Sequence, residues 1–526
     1  MLTAIIIGSG PAAAGVALAL TEHPDQEVVV LDLGKSLEGH RASGRARLAE
    51  RSPSEWHDRD VAELAGRART VKGEPLPQKR TFGSTFPFDN MGQLDGIDAS
   101  AGANGSVVSG AYGGFSNVWG AQIMPFSEPT FDDWPCSFNH MEPHYRRVLE
   151  EVPLAAEADD LEAMFPLIHA TSPPPSPSER TTDVVSRGKR NRARLQRHGV
   201  TVGSARLALR ARDCVRCGLC MTGCPYELIY SSSHTFDRLR RTKRVSYHDG
   251  LLVIGVAQQG DTCHVRAREV PTGQVVEFHA DRVYLACGAI GTTRLVLASM
   301  AAPPRRVELL ESIQFGLPFL SRHPTADPRT QDNHTLNQFN LVVDVTGFGK
   351  DLVQVHCYPY NPAFSDSLPP PLRSRPLEPV HRRIRQRVTV GLGYLPSWAS
   401  PKVILDHEPG GDGLPSIRVS GQDANNLPML RQALRALRRV GPVIDLWPVP
   451  SQSFVSGPAK SYHFGGSFPH AIRRGPLVTD QLGRLPEWDR IHLTDASVFP
   501  TVPATTFTLT VMANAHRIAQ GSLCAG

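Results

Sequence analysis

The chain has 526 residues, 40% hydrophobic and 20% charged, a composition that excludes a disordered or a collagen-like polymer. Its net charge of +5 supplies no basic domain for nucleic acid. No apolar run approaches the ~20 residues of a membrane span.

At ~150 residues per domain, two to four domains are expected. The N-terminus enters Ala4-Ile5-Ile6-Ile7 with no basic n-region, apolar h-region or cleavage site. A cytoplasmic protein is therefore expected, whose nine cysteines do thiol, metal or redox work.

In chain order, Ala4–Ile7 predicts a strand, and Gly8-Ser9-Gly10-Pro11-Ala12-Ala13 a tight turn. An Ala/Val/Leu helix pattern then runs to about Thr21, and a second apolar run, Glu27–Leu31, ends at Asp32. This strand–turn–helix–strand pattern is a dinucleotide fingerprint. Gly8 makes the turn, Gly10 lets the backbone approach a pyrophosphate, and Ala13 and Gly15 let the helix pack close to the sheet. The helix N-terminus faces the phosphates, and Asp32 can accept from a ribose hydroxyl. The segment leaves FAD and NAD open, although its N-terminal place leans towards FAD.

Residues 171–178, Thr-Ser-Pro-Pro-Pro-Ser-Pro-Ser, cannot be helical and predict a surface linker. Ser178–Gln196 has a weak helical period, and Val200–Leu209 alternates as a strand. Leu251–Val256 and Cys263–Arg268 predict strands, with a Pro-Thr-Gly turn at 271–273 closing a hairpin onto strands in 275–287. The basic run His381–Arg387 predicts a solvated face, with an acidic electron-accepting protein as the sharper alternative. Leu430, Leu434 and Leu437 repeat at helical spacing in Leu427–Val440, a surface helix.

Residues 214–225 read Cys-Val-Arg-Cys-Gly-Leu-Cys-Met-Thr-Gly-Cys-Pro. Two-residue gaps let a short loop curl round an iron–sulfide core, and Gly218 and Gly223 permit the turns. The pattern matches bacterial ferredoxin loops, so Cys214, Cys217, Cys220 and Cys224 are candidate ligands of a [4Fe-4S] cluster. The fourth ligand is open between Cys224 and a distant cysteine (Cys136, Cys263, Cys287, Cys357 or Cys524), as is a three-iron form. Zinc or a bare thiol loop are the alternatives.

Four further segments carry a family resemblance. Residues 491–519, from Ile-His-Leu-Thr-Asp-Ala to His-Arg-Ile-Ala, closely resemble the closing segment of the glucose–methanol–choline (GMC) oxidoreductases. Val283–Arg294 and Gly113–Gly120 resemble that family's flavin-domain signatures, with Trp134-Pro135 placed as its Trp-Pro pair. Tyr462-His463-Phe464-Gly465-Gly466-Ser467 resembles its active-site His-x-x-Gly-Thr segment. The nearest flavour is the pyranose 2-oxidase branch.

The resemblance implies FAD and an α/β fold, a Rossmann-like FAD-binding domain with a second α+β substrate-binding domain. The division would be 1–130 FAD-binding, 131–204 cap and linker, 205–300 FAD-binding with the cysteine loop, 301–458 substrate-binding and 459–526 FAD-binding with the active site. It implies that His463 is the base taking the alcohol proton, and that Asp495 and Ala496 contact the flavin's ribityl–pyrophosphate part. Gly114, Ser116, Asn117 and Gly288 would bind cofactor, Asn117 near the isoalloxazine. Two departures matter. Thr506 stands where the family has a second His or Asn, and Val118 stands at the His that carries the covalent flavin link, so non-covalent FAD is expected.

The function implied is a dehydrogenase oxidising a small-molecule secondary alcohol, such as a sugar or glycoside, with electrons leaving through the cluster to a protein or quinone. The rivals are an oxygen-using oxidase with a structural cysteine loop, a flavoenzyme with no net redox (isomerase or dehydratase), and an electron relay.

Overall fold

Ala4 to Ile7 are buried without alternation, as a strand must be when both faces of a parallel sheet are covered. The sheet runs Ile491–Leu493, Arg282–Leu285, Leu2–Ile7, Gln26–Leu31, Ser246–His248, all parallel. Its strands come from both ends and the middle of the chain. The computed structural model describes residues 2–65, 80–88, 96–98, 107–361, 375–408, 413–421, 427–457, 459–472 and 475–524. Among them no helix is long and apolar enough to cross a membrane.

Helix Pro11–Thr21 follows the first strand with Pro at its start. A Cβ at Gly15 would stand 2.2 Å from the Met512 carbonyl oxygen. The close approach expected of Gly15 is therefore made to the last helix, Thr508–Cys524, rather than to the sheet. The segment Leu251–Ala280 forms a three-stranded antiparallel insert, as the hairpin signals predicted.

A second, seven-stranded sheet takes Gln314–Leu320, Phe339–Asp344, Leu352–Tyr358 and Val388–Tyr394, and draws Val200–Ser204 in as an edge. Its two faces are divided by the two-residue period of a strand. Phe315, Leu317 and Phe319 pack with helix Pro428–Ile444, whose Leu437 is buried and whose Leu430 and Leu434 are half-buried. Gln314, Leu392 and Tyr394 face a large cavity. A five-stranded sheet ending in the short edge strand Phe464–Gly465 closes that cavity.

Residues 171–178 are non-helical and lie mostly at the surface, as expected, tethered where the Thr171 hydroxyl and backbone N–H both donate to Leu154 O and Ala156 N donates to Ser172 O. Two expectations are corrected. The Val200–Leu209 strand is split, because the chain leaves the ladder at Ala205 and Arg206, whose buried guanidinium donates to Phe165 O at 2.6 Å. In the basic run, Arg385 is buried in ion pairs with Asp327 (3.1 Å) and Glu378 (2.6 Å).

Candidate active site

One cavity of about 530 Å³ joins the Gly8–Gly10 turn to His463. At its dinucleotide end Gly8 has φ +102°, and a Cβ there would meet the Ala286 carbonyl oxygen at 2.7 Å. A Cβ on Gly10 or on Gly288 (φ +78°) would meet nothing within 4 Å, so both loops leave open space above bare backbone. Helices Pro11–Thr21 and Ala289–Ser299 begin here without a side-chain cap or an acidic first turn. Two uncapped helix N-termini facing a Gly-lined hollow fit the phosphates of a dinucleotide.

Asp32 lies in the same wall. Burial lifts its carboxyl to about 6, against the pull of the Ser9 and Tyr247 hydroxyls that it accepts. Asp495 accepts from the Thr292 hydroxyl and from Ser497 N (2.9 Å), so it ties helix Ala289–Ser299 to the closing segment as well as lining the cavity with Ala496. Ala13 is fully buried and packs rather than lines.

The Gly113–Gly120 turn behaves in two ways. Gly114, Ser116, Val118 and Trp119 line the cavity. Ser116 also anchors the turn, donating to Gly113 O and accepting from Ser232 N at 3.0 Å. Asn117 is not a wall residue: its amide donates back to Tyr112 O (2.9 Å) and Gly114 O (2.7 Å). Its amide therefore holds the turn. Val118 offers no nucleophile for a covalent flavin link.

At the other end His463 opens the edge strand Phe464–Gly465, with Ser312 N donating to its carbonyl at 2.8 Å. Its ring stacks on Tyr394, centroids 4.5 Å apart, and meets Phe507 edge-on at 4.9 Å. Burial pushes its pKa down to about 4, and its Nδ1 is buried without a partner. The ring is thus neutral near pH 7, the state a general base needs.

The approach to His463 is held by a residue that sequence reading missed. Glu311, fully buried, accepts from Ala459 N (3.0 Å), Ser461 N (3.3 Å) and the Ser461 hydroxyl (2.8 Å). Ser461 Oγ in turn accepts from His463 N at 3.0 Å. Ala459 and Tyr462 on either side have φ of 59° and 57°, a left-handed geometry costly for a side chain. Glu311→Leu, which orphans these donors, is expected to cost about 3 kcal/mol and to lower kcat. Glu311→Gln keeps an acceptor oxygen and should recover most of both. A calorimetric melt with kcat in parallel checks this, and an unperturbed Leu variant would refute it.

Thr506 does not line the cavity; its hydroxyl is buried without a partner, and Phe507 beside it presents its ring to His463. The chain bends so that the aromatic residue, not the hydroxyl, reaches the site. Gln314 Nε2 donates to Tyr394 OH at 2.9 Å, which places a polar pair beside His463.

The four cysteines of the 214–225 run line one hollow of about 20 Å³, and none of the other five does. None is in a disulfide. Arg216 (φ 54°), Gly218 (φ 76°) and Gly223 (φ 123°) make the curl, and a Cβ on Gly223 would press on the Phe82 ring at 2.9 Å. Burial lifts Cys214 to about 11 and Cys217 to about 12, and raises Cys224. Among the described residues no three of these sulfurs lie within 4.8 Å of one another. A tetrahedral zinc with 2.3 Å bonds would hold them about 3.8 Å apart. Met221, inside the run, lines the large cavity.

Residues 403–515 match a family model described as GMC oxidoreductase. A search of curated proteins found no match. Among solved structures, pyridoxine 4-oxidase from Mesorbium loti has a TM-score of 0.60 at 15% identity, covering 99% of both chains. A formate oxidase of Aspergillus oryzae RIB40, from work on FAD modification, gives 0.60 at 13%, covering 100% of this chain and 98% of that one. Residues 403–515 therefore match the GMC oxidoreductase C-terminal domain, in a chain that shares the fold of the two oxidases over its whole length.

Proposed function

We propose that the protein is a dehydrogenase oxidising the CH–OH group of a small-molecule alcohol, with His463 as the base that takes the hydroxyl proton. The observation that carries this reading is the single cavity with a dinucleotide cradle at one end and a neutral, buried His463 at the other. Gly8, Gly10, Asp32, Gly288, Asp495 and Ala496 would hold FAD without a covalent link. When bound, the flavin supplies the hydride acceptor, and an iron–sulfur group at the cysteine loop supplies one-electron transfer.

His463, with Nδ1 buried, accepts the proton on a ring fixed between Tyr394 and Phe507. Gln314 and the Tyr394 hydroxyl orient the alcohol oxygen. The remaining wall combines Tyr358, Leu392, Phe454 and Phe507 with the polar Ser456, Lys460 and Ser461.

Cys214, Cys217, Cys220 and Cys224 would hold a [4Fe-4S] group. Three observations support this: the shared hollow, the apolar walls of Leu209, Leu228 and Ile229, and sulfurs spread wider than one tetrahedral ion needs. A protein or quinone would be the electron acceptor.

The test is iron, acid-labile sulfide, EPR and the visible spectrum on protein purified without air. About four irons and four sulfides per flavin, with an EPR signal on reduction, are expected. A clean flavin spectrum without iron, with peroxide released on turnover, would replace this reading by an alcohol oxidase with a structural cysteine loop.

A further inference from the structure

The three-stranded insert carries a cluster that the flavin chemistry does not use. The ladder sets His264 directly opposite His279 on one side and Ala257 on the other. Residues two apart on a strand share a face, so Glu277 joins the two histidines on the outer face. Ala257 is too short to cover them. One ligand atom from each of His264, Glu277 and His279 lies within 4.8 Å of the other two, and among the described residues no other three His, Cys, Asp or Glu groups come as close. His264 Nδ1 is 2.9 Å from Glu277 Oε1, and the two imidazoles stand 4.7 Å apart at 87°. None of the three lines the flavin cavity or the cysteine hollow.

We propose that His264, Glu277 and His279 form a binding site for a divalent transition ion of the zinc class. Two imidazole nitrogens and one carboxylate oxygen suit zinc, copper or nickel, whereas calcium and magnesium want oxygen shells. The three donors come from two hydrogen-bonded strands, so the backbone already holds the spacing and little ordering is needed on binding. Solvent supplies the remaining coordination positions, because Glu277 and His279 are exposed. The ion would pin the middle strand of the insert, Thr262–Glu269, to the outer strand Val275–Ala280. The competitor for Glu277 is Arg266, which faces it across the ladder.

The experiment titrates zinc into the flavin-loaded protein against a chromophoric chelator. The thiol loop is a second place for zinc, so wild type is compared with Cys214→Ser, His279→Ala and Glu277→Gln. Cys214→Ser should keep the hairpin site. His279→Ala should lose one equivalent, or weaken it by at least about tenfold, the scale on which lost metal-site contacts register. Glu277→Gln should weaken it less. His279→Ala and Glu277→Gln lie on the exposed face, so their flavin content should match wild type. Equal stoichiometry and affinity in wild type and His279→Ala would overturn the site, as would loss of all zinc binding in Cys214→Ser.

Discussion

His463→Asn is expected to lower kcat by about 10²–10⁴-fold, the usual contribution of one general base, while flavin content and melting temperature stay close to wild type. Anaerobic stopped-flow reduction of the bound flavin by substrate is the direct readout. A relay that had lost alcohol chemistry would show no change, because nothing in electron passage needs this imidazole. The pH profile follows from burial. The ring is held down at about 4, so the proton-accepting form persists through neutral pH and is lost only as pH falls through about 4. Stability has its own window. The folded pKa lies below the ordinary 6.5, so the unfolded chain takes up the proton first. His463 therefore destabilises the fold as pH drops from about 6.5 to 4, at up to about 1.4 kcal/mol per pH unit. His356, held at about 3 by burial and the neighbouring His463, acts in the same direction. Activity at low pH must accordingly be read as an initial rate. A kcat limb near 6.5 instead of 4 would show that the working ring is solvated.

Gly10→Val is expected to yield folded protein without flavin. The added Cβ would enter space with no atom within 4 Å, so the fold can accept it, but that space is where a pyrophosphate would meet the backbone. Gly15→Val makes the contrast. Its Cβ would strike the Met512 backbone oxygen at 2.2 Å, where no side chain can move aside, so misfolding is expected. Visible absorption of the purified proteins, with circular-dichroism melts, separates the two outcomes. Gly10→Val with stoichiometric flavin would sink the cradle assignment. A melting temperature lowered only to that of flavin-stripped wild type would support it, because a ligand bound to the folded state alone stabilises by mass action.

Much of this architecture was legible because its signals are local. The Gly8–Gly10 turn, the buried strands at 4–7 and 26–31, and the 251–280 hairpin each announce themselves by period or turn chemistry within a few residues. Two side-chain directions were not legible, for one reason. Asn117 and Thr506 have suitable chemistry in suitable segments, yet the amide closes its own turn and the hydroxyl is displaced by Phe507. Side-chain direction depends on a few degrees of backbone rotation that sequence spacing does not encode. Glu311 had no signal, because one of two acids in the strand Arg306–Glu311 shows its role only when a loop almost 150 residues away folds over it.

By itself, the sequence determined the dinucleotide turn, the cysteine curl and the segment around His463, since each needs particular residue types at short spacing. Only the tertiary structure decided that the dinucleotide turn and the His463 segment share one cavity, that the four cysteines gather in a separate hollow, and that Tyr394 and Phe507 enclose the histidine. Those relations are contacts between residues far apart in the chain, created when the two sheets and the edge strand close on one another.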